Sequence, residues 1–156
     1  LWPRMLHLGD EIESGLVPEV PQGTAWSGDW TMEALPRGVI SLSAEIANME
    51  PSAAATPPTQ PHLNELRAGH WLTELWVNGA RIGDWNSQFS WSPAVTTPER
   101  VRLPIPKSAL RTGSNTWKLI QRPGPDGESY DDIWIGRLAL EVETARPLES
   151  PNRAAE

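Results

Sequence analysis

Asp84-Trp85-Asn86-Ser87-Gln88-Phe89-Ser90-Trp91 places two indoles among amides, hydroxyls and a carboxylate within one short stretch. That mixture suits sugar recognition. Flat apolar rings take the C–H face of a pyranose, while amides and acids bond its hydroxyls. Arg122 and Tyr130-Asp131 offer further partners, and a guanidinium can pair a uronate carboxylate bidentately. The competing reading for Trp85 and for Trp91 is a core plug, because Trp is highly buried on average.

Other chemistries find less in the chain. Glycoside hydrolysis needs two carboxylates flanking a cleft. Asp131 and Asp132 are adjacent, so on a strand they point to opposite faces. Asp126 and Glu128 sit in a Gly-bearing loop, where acids are normally solvated. No Gly-x-Ser-x-Gly elbow occurs. His7, His62 and His70 lack zinc-motif spacing. Calcium prefers carboxylate and carbonyl oxygens. Asp10, Glu11 and Glu13 would supply them together with Asp131 or Asp132, if the first and last strands are neighbours; the competing reading is ordinary surface acids.

Composition bounds the partners. The chain has 156 residues, 20 acidic against 13 basic, and a net charge of −7. No Lys/Arg run appears, which disfavours nucleic acid, since that binding rests on phosphate neutralisation. No apolar run reaches bilayer length. The absence of Cys excludes disulfides and thiolate chemistry. The chain does not start with Met and carries no secretory signal, so it reads as a mature piece of a larger protein. Nine Trp beside one Tyr and one Phe exceed what packing of one domain needs, so some are expected at the surface.

The elements that must position these residues are short strands. Sixteen Pro and twelve Gly favour turns over long helices. Leu6–Leu8 reads as a short first strand, and residues 21–37 as an irregular one around Trp26 and Trp30. In Val39–Ala47, Ile40, Leu42, Ala44 and Ile46 alternate with polar residues, as in a strand with one buried face. Residues 50–69 form a proline-bearing loop with a helical turn near Asn64–Arg67. Leu72–Val77 and Ala80–Asp84 flank Asn78-Gly79, a type I′ hairpin signal. Val101–Ile105 contains Pro104 and reads as an edge strand. A helical turn at Ser108–Arg111, a strand at Thr116–Gln121 and a last strand at Ile133–Val142 follow. Gly136 marks a bulge there, with Trp134, Leu138, Leu140 and Val142 on one side. The fold class is all-β, an antiparallel two-sheet β-sandwich over residues 1–143, with a polar tail over 144–156.

If each strand crosses the sandwich once, loops 48–70, 86–98 and 122–131 meet at one end. That end collects His62, His70, Trp85, Asn86, Gln88, Phe89, Trp91, Arg122, Asp126, Tyr130 and Asp131. Loop 106–114 joins the Asn78-Gly79 turn at the other.

Three passages resemble the galactose-binding-like jelly roll of carbohydrate-binding modules and of accessory domains in polysaccharide-acting enzymes. They are Leu75–Gly83, Val101–Pro106 continued by Leu110–Thr116, and Asp132–Glu141, together about half of the chain. The resemblance implies a ligand at the end loops and a structural calcium near the first and last strands, here Asp10, Glu11, Glu13 and Asp132. The N-terminal text departs from the usual calcium-site pattern.

The resulting expectation is a secreted, bacterial-type, extracellular or periplasmic module without catalysis. It holds a poly- or oligosaccharide through Trp85, Asn86, Gln88, Trp91, Arg122, Tyr130 and Asp131. The alternative is a structural accessory domain packed on a glycoside hydrolase or polysaccharide lyase catalytic domain. A small stand-alone lyase or hydrolase is the third reading.

Overall fold

A computed structural model describes residues 5–13, 15, 16, 18–53 and 60–144. The tail read over 144–156 lies outside the described residues apart from Thr144. Eight strands run in chain order: β1 (Met5–Leu8), β2 (Ala25–Met32), β3 (Val39–Ala47), β4 (Thr73–Val77), β5 (Ala80–Asp84), β6 (Glu99–Ile105), β7 (Gly113–Gln121) and β8 (Ile133–Glu143). Among the described residues one short α-helix, α1 (Leu63–Arg67), precedes β4, and 3-10 turns cover Asn86–Gln88 and Lys107–Ala109. The strands form two antiparallel four-stranded sheets, ordered β1-β8-β3-β6 and β2-β7-β4-β5. This is a two-sheet β-sandwich, consistent with a jelly roll.

Each strand forms for a reason visible in its residues. Ile40, Leu42, Ala44 and Ile46 of β3 enter the core together with Leu75 and Val77 of β4, Leu119 of β7, and Leu103 and Ile105 of β6. β4 lies between β7 and β5, so both of its edges are paired by ladder neighbours. β6 is an edge strand, where Pro104 forfeits no bond to an outer neighbour. β2 is a regular eight-residue strand rather than an irregular one, its alternate residues Trp26, Gly28 and Trp30 turned inward. Gly28 is needed there: a Cβ would stand 2.7 Å from the Trp117 ring.

The last strand differs from its expected pattern. Ile133 and Ile135 enter the main core before Gly136, but Leu138 and Leu140 pack against it afterwards. Trp134 instead joins Met5, Leu16 and Ala47 in a second cluster. The β3–β8 register shifts between Ser43 and Glu45, and Arg137 has φ +49°. The bulge inserts one residue and so exchanges the two faces of the strand. A single apolar side formed by Trp134, Leu138, Leu140 and Val142 is therefore not what forms.

At the hairpin end, Asn78 (φ +49°) and Gly79 (φ +81°) both adopt positive φ, as a type I′ turn requires. Asn78 Nδ2 donates to Ala109 O and to Asn115 Oδ1, each at 2.8 Å, and its Oδ1 accepts the Thr116 N–H. The turn is thus tied to the 106–114 loop at the end opposite the long loops.

Candidate functional site

The long loops do meet at one end. Ser52 N–H donates to Asn86 O, Ala53 N–H to Phe89 O, Asn48 N–H to Pro93 O, and Trp71 N–H to Pro123 O. The strands deliver these loops side by side, and backbone groups without a ladder partner then pair across them.

Much of the polar chemistry at this end holds the loops together. Asn86 is fully buried. Its Oδ1 accepts the Thr73 N–H at 2.8 Å, and its Nδ2 donates to Glu50 O at 2.9 Å and Trp71 O at 3.3 Å. It is a clamp between β4 and two loops, not a ligand contact. Trp85 has no exposed surface and packs in the core beside Phe89 and Leu75. The plug reading holds for it, and a stacking role at the surface does not. Gln88 is half-buried, and its side-chain amide donates to Ser87 Oγ. Arg122 turns to Glu74 on the sheet, with Nε 3.0 Å from its carboxylate. Tyr130 is half-buried, and its N–H donates to Asp10 Oδ1.

Trp91 is the aromatic that remains open, 54% exposed, with its ring edge-on to Phe89 at 6.2 Å. It lines a cleft of about 500 Å³ with Glu50, Pro51, Gln60, Pro61, Ser90 and Ser92. Gln60 Nε2 donates to Glu50 Oε2 at 2.5 Å and to Pro51 O at 3.3 Å, while its Oε1 accepts the His62 N–H. Behind this wall, Asp131 Oδ2 accepts the Glu50 N–H at 3.1 Å. Burial pushes the Asp131 carboxyl well above the usual range, and the charges of Glu50 and Asp132 push it further. On the flank, Trp71 Nε1 donates to Glu65 Oε2 at 2.6 Å. That bond, then one from His62, holds the Glu65 carboxyl below its ordinary value.

The acids expected to hold calcium come to one corner, because β1 pairs with β8. Three of the four carboxylates are occupied separately. Asp132 Oδ1 lies 3.0 Å from His7 Nε2 and accepts the Glu11 N–H. Asp10 accepts from Tyr130 N–H, and Glu13 Oε2 accepts from Asn48 Nδ2. Among the described residues no group of three His, Cys, Asp or Glu side chains is placed to hold a metal ion. Gly9 permits the Asp132 position, since a Cβ there would stand 2.0 Å from Asp132 Oδ1.

One residue with a claim to function escaped the sequence reading. Trp76 lies within what reads as scaffold text, yet it is partly exposed on the outer face of its sheet. Its Nε1 donates to Glu74 Oε2 at 3.0 Å. Its signal was alternation: Leu75 and Val77 are inward, so Trp76 must face out. The chain matches no model of a known protein family and no curated protein.

Proposed function

We propose that the domain is a non-catalytic carbohydrate-binding module, of the galactose-binding-like jelly-roll type, that seats a glycan in the cleft beside Trp91. One observation carries this reading: a half-exposed indole standing in a cleft lined also by two prolines, a carboxylate and two serines. Apolar rings beside a few polar groups fit the amphipathic faces of a pyranose. Gln60, itself buried, donates to Glu50, so the Glu50 carboxylate is held in a fixed position and loses little entropy on binding. The experiment is affinity electrophoresis of the domain through a panel of polysaccharides, with Trp91→Ala alongside. Retardation by a glycan that Trp91→Ala weakens supports the cleft. Equal retardation of both proteins removes it.

A second reading, a structural domain packed on a catalytic partner, has its own observation. Val39 is 54% exposed, beside Pro104 and Pro106 in a groove at the other end of the molecule. An apolar patch of that kind suits a protein contact. Under this reading no glycan retards the domain, and Val39→Asp abolishes its association with the parent protein's catalytic domain.

A further inference from the structure

We propose that the outer face of the β2-β7-β4-β5 sheet is a second binding surface, separate from the loop-end cleft, which takes a neutral glycan chain against Trp76. Only the class of ligand rests on the carbohydrate-binding reading. The surface itself stands on its own geometry.

The platform is held in place. Glu74 and Trp76 share the outer face of β4, and the Glu74 side chain is only 7% exposed. It accepts three donors: Arg81 Nε at 2.8 Å, Arg122 Nε at 3.0 Å and Trp76 Nε1 at 3.0 Å. A carboxylate covered to that degree demands such partners. Burial pushes its pKa up, but the bonds from Arg81 and Trp76 and the charge of Arg122 outweigh this and hold it below its ordinary value. The bond from Trp76 to its neighbour two residues back lays the indole along the strand. A ring fixed before binding forfeits little rotamer freedom when a sugar stacks on it.

Around the ring lies a groove of about 620 Å³, lined among others by Ser27, Asp29, Trp76, Thr116, Lys118 and Ile120. This is within the span of small-ligand sites, about 300–1,000 Å³. Backbone groups of the inner strands β7 and β4 are paired by the ladder on both sides. The side chains of Ser27, Asp29, Thr116 and Lys118 have no hydrogen-bond partner among the described residues, which leaves hydroxyl, carboxylate and ammonium groups for a ligand.

Charge selects the ligand class. Arg81, Lys118 and Arg122 face Asp29, Glu74 and Asp84, three against three, so the face is neutral. Both arginines direct Nε to Glu74. A uronate would gain no net attraction here and would meet a chain of net charge −7. A protein partner is also disfavoured, because among the described residues no large, well-exposed hydrophobic side chain lies on this face.

The test is affinity electrophoresis through neutral gels (xylan, mixed-linkage β-glucan, galactomannan) and acidic ones (polygalacturonate, alginate). Wild type, Trp76→Ala, Trp76→Tyr and Trp91→Ala are compared, each shown folded by thermal melting. At least one neutral glycan retards the wild type. Trp76→Ala weakens that binding about tenfold, the worth of one aromatic stack. Trp76→Tyr restores part of it, and Trp91→Ala leaves the Trp76-dependent share intact. The sheet-face site is overturned if Trp76→Ala binds every neutral glycan like wild type while Trp91→Ala does not, a result that spares the loop-end cleft. It is also overturned if only acidic gels retard the protein, or if Trp76→Ala instead dissolves a dimer seen by sedimentation. No retardation of wild type by any glycan overturns both readings together.

Discussion

The loop end and the outer sheet face hold similar residue types and use them differently. At the loop end the amide of Asn86 and the carboxyl of Asp131 are turned onto backbone groups of neighbouring loops. On the sheet face Ser27, Asp29, Thr116 and Lys118 have no such duty. The difference follows from the backbone. A strand satisfies its own N–H and C=O groups through the ladder, so its outward polar side chains are left over. Irregular loops cannot, and polar side chains make up the deficit. A polar loop residue close to a core is thus a poor candidate for ligand contact, and a polar strand residue on an open face a better one.

The contrast can be broken most forcefully at the tryptophans. Trp85→Ala is expected to cost about 4 kcal/mol, the loss of a fully buried indole, whereas Trp91→Ala costs under about 1 kcal/mol. Urea unfolding of the pair measures this, and comparable costs would mean Trp91 is structural too. Next in size, Asn86→Ala leaves the Thr73 N–H and the Glu50 carbonyl unpaired and loses about 2–3 kcal/mol. A loss below about 0.5 kcal/mol would show that the loops hold without their clamp.

Glu74→Ala comes third, at about 1–2 kcal/mol, because its arginine partners are about half exposed and screened. Its folded carboxyl lies below its ordinary value of 4.5. Its contribution is therefore complete above the unfolded value and fades as pH falls through the folded one. Stability of Glu74→Ala should converge on wild type in acid. Asp131 has the opposite sign. Its folded carboxyl lies well above the ordinary 3.8, so between those values the native state binds more protons and stability declines as pH rises. Asp131→Asn should flatten that decline in a melting-temperature series from pH 4 upward, and an unchanged slope would assign the decline to other groups.

The fold was legible where local rules are strict. Asn78-Gly79 demanded a tight hairpin, and Ile40 to Ile46 alternated cleanly, so β3, β4 and β5 formed where their residues implied. The edge position of β6 was readable from Pro104. β8 was read with the wrong faces because a bulge at Arg137 exchanges them, and Gly136 marked only its neighbourhood. At the site, connectivity brought the loops together as reasoned. Trp91 ended in the open cleft, but Trp85, Asn86 and Arg122 went to the core, to a clamp and to Glu74. Trp76 was passed over because its surroundings read as framework.

Alternation, turn chemistry and charge are local quantities, and the chain's residues settled them: short strands, a sandwich, an acidic surface without cysteine. Whether an indole is a plug or a platform depends on which surfaces close over it. Trp85 and Trp91 share one stretch of chain and one chemistry, yet one has no exposed surface and the other has 54%. Likewise Glu74 becomes the anchor of Trp76 only because Arg81 arrives from the hairpin and Arg122 from the strand on the other side. Burial and ion pairing are sums over residues distant in sequence, so they exist only once the sheets have met.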